Sequence, residues 1–180
     1  MQIGKAKNGD SMKYFIKGIL LVIEGLVAAI IVYPFIHELG HSVAALIFGA
    51  EIYEFEIFPI PNILCRFTSM ALTDRIVVGF AGILLPTLLS SVPSPKNFML
   101  WYFWFSLNCI CIISFIVSLW ALAFYKTSLE IVGDDMTRIL QFNPEYRGIY
   151  FAVVALLIVI KIVQTVKSKP VKKCMIFFGV

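Results

Sequence analysis

The sequence predicts an all-α membrane protein of about four transmembrane helices, with a short membrane-surface β-hairpin after the first. Three observations carry this reading. Of the 180 residues, 60% are hydrophobic and 14% are charged, whereas soluble globular domains are usually about 45–50% apolar and about a quarter charged. The apolar residues fall into four long segments, each near or beyond the roughly 20 residues that cross the hydrocarbon. Lysines gather around these segments in a pattern that a membrane would impose. No low-complexity tract, internal repeat or soluble region interrupts the pattern, so the chain reads as a single domain over residues 1–180. The N-terminus lacks a short apolar run followed by a small-residue cleavage site, so no removable signal peptide is expected. The net charge of +4 is modest, and lysines clustered at the two ends suit membrane lipid headgroups rather than nucleic acid.

The first apolar segment runs from about Tyr14 to Gly49 and is too long for one simple span. Pro34 lies inside it, which predicts one long kinked helix. A break into two helices at Pro34 would leave a very short second piece. A polar stretch, Glu51 to Thr73, follows. Within it Glu54, Phe55, Glu56 and Ile57 alternate polar and apolar, the period of a strand, and Pro59, Pro61 and Asn62 supply a turn. A hairpin and an ordinary exposed loop both fit that stretch. The second span is expected at about Asp74 to Val92, ending in the turn "SVPSPKN". The third runs from Phe98 to Tyr125, with aromatic residues at its start that suit an interface. The fourth covers about Tyr146 to Val166 and is followed by "KSKPVKK".

Lysine placement tests the count. Lys5, Lys7, Lys13 and Lys17 precede the first span, Lys96 lies between the second and third, and Lys167, Lys169, Lys172 and Lys173 follow the fourth. The other two connections carry Arg66, Arg75, Lys126, Arg138 and Arg147 among many acids. Four spans put every lysine-rich region on one side, as the positive-inside bias requires, with both termini cytoplasmic. A fifth span would place the two lysine-rich ends on opposite sides.

The helix before the polar stretch carries "HELGHSVAALIFGA". His37 and His41 are four residues apart and therefore stand on one helix face, a turn from each other. With Glu38 they form an HExxH arrangement, in which two imidazoles bind zinc and the glutamate is the general base. A lone histidine would ordinarily be a hydrogen-bonded helix residue. Here the chain has only two histidines, and both fall in the motif. Ionisable groups inside a membrane are costly and default to function. Gly40, Ser42, Ala44 and Ala45 are small enough to let other helices approach closely.

A catalytic zinc site usually has three protein ligands and an open position. Cys65, Cys109, Cys111 and Cys174 match no zinc spacing and read as free thiols in an apolar bundle. Carboxylates are the better candidates. "GDDMTRIL", residues 133–140, opens a short helical pattern with Asp134 and Asp135. With four spans it lies on the same side as the C-terminal end of the histidine helix. One of the two aspartates can cap the helix while the other binds metal. Glu24 would sit on the order of 20 Å from His37 at 1.5 Å per residue and is excluded from the site.

These segments resemble the site-2 protease family of intramembrane zinc metallopeptidases. "HELGHSVAALIFGA" matches that family's zinc-binding helix. "GDDMTRIL" resembles its LDGGRIL-type motif, with Asp135, Arg138, Ile139 and Leu140 on the Asp, Arg, Ile and Leu, and Met136 and Thr137 in place of glycines. "GFAGILLPTLL" is similar to its glycine- and proline-containing middle helix, with Thr87 or Ser90 where an asparagine is usual. The resemblance covers about Ile31 to Leu140. It implies a zinc-dependent peptidase acting in or near transmembrane segments of substrate proteins, with His37, His41 and Asp135 as ligands and Glu38 as the base. It also implies a histidine helix running towards the cytosol, opposite to the direction that the lysines give. The hairpin residues Glu54, Phe55, Glu56 and Ile57 would then hold an unwound substrate by β-augmentation. Two rivals differ in kind. A zinc peptidase resembling the membrane-embedded CAAX-prenyl proteases would take a glutamate as third ligand, and Glu130 in "EIVGD" has an ExxxD spacing, with Gly133 weakening the helix. A non-catalytic membrane protein that grips transmembrane helices is the other.

Overall fold

In lipid a backbone N–H or C=O finds no water, so an apolar chain must satisfy these groups within its own helices. The computed structural model follows that rule. It describes residues 8–56, 62–66, 71–131 and 134–179. Among them are helices α1 (Asn8–Val27), α2 (Tyr33–Ile47), α3 (Leu72–Leu89), α4 (Phe98–Ala123), α5 (Asp135–Phe142), α6 (Arg147–Lys167) and α7 (Pro170–Phe178). Strands β1 (Glu51–Glu56) and β2 (Asn62–Arg66) form one antiparallel pair. Four helical stretches are long and apolar enough to cross a membrane: Met12–Ile47, Leu72–Leu89, Phe98–Ala123 and Pro144–Phe178. Most of their large apolar side chains that remain exposed, such as Phe15, Ile30, Leu88, Ile113 and Val159, suit a lipid surrounding.

The first stretch is helical throughout, as one long segment. A π-helical turn, Ala28–Val32, joins α1 to α2 immediately before Pro34. The proline ring has no N–H and crowds the carbonyl four residues earlier. A wider turn placed there accommodates that misfit. α3 begins two residues earlier than the sequence suggests and ends at Leu89, with Pro86 inside its last turn. Asn97 starts α4 by accepting from the backbone N–H groups of Met99 and Leu100.

The polar stretch after α2 is a hairpin, not a plain loop. Glu51 pairs with Arg66, Ile52 with Cys65 and Glu54 with Leu64, and a bulge falls between Ile52 and Glu54. The turn expected at Pro59 and Pro61 and the strand residue Ile57 lie outside the described residues.

The fourth stretch carries a feature that composition did not indicate. After α6 the chain passes through a left-handed Lys169 (φ 55°) and continues as α7. Near its end the Phe177 carbonyl accepts from Lys17 at 2.8 Å, and Phe178 packs on Tyr14. Lys173 donates to Ser94 and to the Pro95 carbonyl. The N-terminal end of α1, the α3–α4 turn and α7 therefore share one end of the bundle, as an even number of spans requires.

The core explains where α5 goes. Its buried Met136, Ile139 and Leu140 join Ile83 of α3, Cys111, Phe115 and Leu122 of α4, and Tyr150 and Val154 of α6. α5 is thus pulled in between the spans by its apolar face. A second small cluster, Ala44, Ala45, Ala50 and Val78, seals α2 against α3. Contact here is at the backbone: a Cβ on Gly40 would lie 2.3 Å from the Ala81 carbonyl oxygen.

Candidate metal centre

The site is assembled by α2, α3 and α5. The i, i+4 spacing brings His37 and His41 together, with their Nε2 atoms 3.2 Å apart. Their rings meet edge to face at 83°. Asp135, at the first position of α5, comes from 94 residues away and places Oδ2 3.2 Å from His41 Nε2. The same oxygen lies 2.9 Å from His37 Nε2. Asp134 does something else: it is the N-cap of α5 and accepts from the Met136 N–H at 2.8 Å, while the Thr137 hydroxyl donates to its carbonyl. Of the two aspartates considered as third ligand, Asp135 is the one set against the histidines.

Close approach is built into α3. A Cβ on Gly82 would lie 2.3 Å from His41 Nε2 and 2.9 Å from His37 Cε1. A Cβ on Gly79 would lie 2.6 Å from Ile139. The two glycines leave space, one for the imidazoles and the other for α5.

His41 Nδ1 lies 2.7 Å from the Val78 carbonyl. A carbonyl only accepts, so Nδ1 carries a proton, and Nε2 is the ring atom turned to His37 and Asp135. Buried hydrogen bonding of this kind fixes the tautomer of metal-binding histidines. The donor set passes a geometric test. Tetrahedral zinc with bonds of about 2.0–2.1 Å separates its ligand atoms by about 3.3 Å, and the three atoms here stand 2.9–3.2 Å apart. Two imidazole lone pairs and a carboxylate oxygen this close repel one another unless a cation or a shared proton lies among them. His37, His41 and Asp135 thus form a group able to hold a metal ion.

Electrostatics of the loop-side groups follow their contacts. Burial pushes the Asp135 carboxyl up, but hydrogen bonds from His37 and His41 outweigh it and hold this group well below the usual carboxylate range. Burial raises the Asp134 carboxyl, opposed by the Met136 N–H. Burial, then the Glu38 charge, pushes the Cys65 thiol up.

The three donors open into a cleft of about 680 Å³, lined also by Glu38, Arg75, Arg138, Phe142, Leu64 and Cys65. Glu38 shares the cleft with the histidines, while its backbone carbonyl accepts from Ser42. The hairpin meets the cleft through β2, at Leu64 and Cys65, whereas Glu54 and Glu56 of β1 are exposed. Phe55 pairs with Ile63 across the hairpin. Glu130 stands outside the group; its carboxylate accepts from the Lys126 N–H. Gly133, within the ExxxD spacing, lies outside the described residues.

Thr87 and Ser90 do not line this cleft. They belong to a separate buried centre around Lys161, whose ammonium donates to the Thr87 carbonyl, Ser90 Oγ, Ser91 Oγ and Asn108 Oδ1 at 2.7–3.1 Å. Sequence reading passed over Lys161 and Asn108, although a lysine mid-way through an apolar span is itself a signal. It also passed over the cleft's arginines as a pair.

The fold and site define a helical, membrane-type protein with a part-buried His/His/Asp group lining a cleft. Comparison with protein-family models, curated proteins and solved structures finds no match.

Proposed function

We infer that the chain is a zinc-dependent intramembrane peptidase that cleaves peptide bonds in or near transmembrane segments, similar in kind to the site-2 protease family. One observation carries the reading: an HExxH pair on α2 and a carboxylate 94 residues away converge on one point, and Glu38 faces the cleft that opens there. Four helices suited to a membrane support the reading of an integral, multi-pass protein whose substrate shares its bilayer.

His37, His41 and Asp135 would hold the ion. When bound, zinc polarises a carbonyl and lowers the pKa of water. Glu38 accepts a proton from the attacking water as that water's oxygen bonds to the scissile carbon. The C–N bond then breaks, and Glu38 returns the proton to the departing amine nitrogen. Val78 keeps the His41 ring oriented, Asp134 keeps the start of α5 in place, and Gly82 keeps the wall of α3 out of the ligands' space. The half-buried cleft gives water a route to a site otherwise surrounded by apolar helices.

The test combines metal analysis with cleavage of model transmembrane peptides in lipid. Purified protein should carry one zinc per chain, and chelation should abolish cleavage that added zinc restores. Tight binding of many such peptides by zinc-loaded wild type, with none cut, would establish a non-catalytic binder instead.

A further inference from the structure

The metal cleft carries two guanidinium groups that the hydrolytic scheme does not use. Arg75 of α3 and Arg138 of α5 both line it. Each sits at the same place in its helix. Their backbone N–H groups make the first helical bond, to Ala71 O and Asp134 O respectively. Positive side chains at the start of a helix face the positive end of its dipole, which opposes them. Two arginines so placed, on two helices that open into one cleft, set two guanidinium groups on a wall that also carries the carboxylates of Glu38, Asp134 and Asp135.

Glu38, Asp134 and Asp135 line the same cleft, but none of them forms an ion pair with either guanidinium. Neither arginine makes a salt bridge among the described residues; those present join Asp135 to His37 and His41. Asp135 is engaged by the imidazoles, and Asp134 by the Met136 N–H. Arg75 is half-buried, its guanidinium lies 5.5 Å from the Phe142 ring centre, and its buried Nε has no hydrogen-bond partner. The aromatic ring holds the fork against the cleft wall with its N–H groups unspent. Among the described residues α3 also begins without a side-chain cap.

We propose that Arg75 and Arg138 form a carboxylate-binding subsite, so that the cleft selects a peptide bearing an acidic group beside its transmembrane segment. The peptide nature of the ligand rests on the peptidase reading; the preference for a carboxylate rests on the arginines alone. Guanidinium forks pair with carboxylates through two parallel N–H···O bonds, and a planar fork is not replaced by an ammonium.

The experiment uses wild type, Arg75→Gln/Arg138→Gln and Arg75→Lys/Arg138→Lys in phosphatidylcholine nanodiscs. The probes are fluorescent transmembrane peptides with Gln or Glu scanned along the flanking segment, each with a free or an amidated C-terminus. Affinity is read where the peptides stay intact and kcat/KM where they are cut. Wild type should favour one carboxylate-bearing series roughly tenfold, the size of a charged hydrogen bond. The Gln pair should lose that preference with zinc content unchanged, and the Lys pair should keep part of it. The two peptide series separate an acidic side chain from a C-terminal carboxylate as the source. Equal handling of Glu, Gln, free and amidated peptides by wild type would overturn the subsite, whatever the variants do. So would an arginine-dependent preference confined to phosphatidylglycerol over phosphatidylcholine, which would mark a lipid headgroup site. Carboxylate preference in binding with no peptide ever cut would sustain the subsite and remove the peptidase.

Discussion

The proposed function gives three residues at the candidate metal centre different roles, and single substitutions separate them. Glu38→Gln keeps size and hydrogen-bonding atoms but cannot take a proton. It should retain zinc while cleavage falls by about 10²–10⁴-fold, the usual range for a general base; turnover at the wild-type rate would remove Glu38 from the mechanism. Asp135→Ala deletes one of the three converging oxygen and nitrogen atoms and should empty the site in metal analysis. Asp134→Ala should keep the metal and instead cost about 0.5–2 kcal/mol of stability through loss of the cap on α5. Zinc lost from Asp134→Ala and kept in Asp135→Ala would reverse the assignment. The HExxH pair was legible from spacing alone because an α-helix places i and i+4 side by side whatever surrounds it. The choice between Asp134 and Asp135 was not legible from the residues themselves. Adjacent residues of one helical turn point in different directions, and only the packing of α5 decides which one meets the histidines.

At the scale of elements, α3 controls the site from the side. Its Gly82 leaves no room for a methyl group beside His41 and His37. Gly82→Ala should therefore reduce zinc affinity with α-helical content unchanged, readable by circular dichroism beside metal analysis; full zinc content would show that α3 can shift away. At the far end of the same helix, Lys161 holds the last turn of α3 to α4 through Thr87, Ser90, Ser91 and Asn108. Removing one partner of a buried set leaves the others unsatisfied. Lys161→Met should lower the thermal midpoint, by about 1–3 kcal/mol of stability, without removing zinc. A midpoint equal to wild type would show that the hydroxyls re-pair among themselves. Helix spans were readable within a few residues because apolar length and the turns at Pro93 and Pro95 mark them. The π turn before Pro34 was not, since a proline in a helix is answered by a kink, a break or a wider turn according to what packs there. α7 was also missed, because "KSKPVKK" reads as a polar tail until Phe177 and Phe178 find Lys17 and Tyr14.

At the scale of the whole molecule, the start of α1 and the end of α7 meet, through Lys17 and Tyr14 against Phe177 and Phe178. Reporter fusions at Lys7 and Lys172 should report the same side of the membrane; opposite sides would refute the four-span arrangement. A metal that binds only the folded chain raises its thermal midpoint in a concentration-dependent way; added zinc should do so here, and the effect should vanish in Asp135→Ala.

Composition and periodicity by themselves determined the class of this protein. Burial of backbone polar groups in lipid leaves helices as the local solution, and apolar length counts the spans. Local spacing likewise set His37, Glu38 and His41 on one segment. Only the tertiary structure decided the rest. It drew Asp135 across 94 residues, gave Asp134 to the helix cap, brought Leu64 and Cys65 of β2 to the cleft, and set Arg75 and Arg138 on its wall. These are contacts between segments far apart in the chain. They follow from which apolar faces pack together, as when Met136, Ile139 and Leu140 bury α5 between α3 and α4, and helical periodicity carries no information about a segment's distant partner.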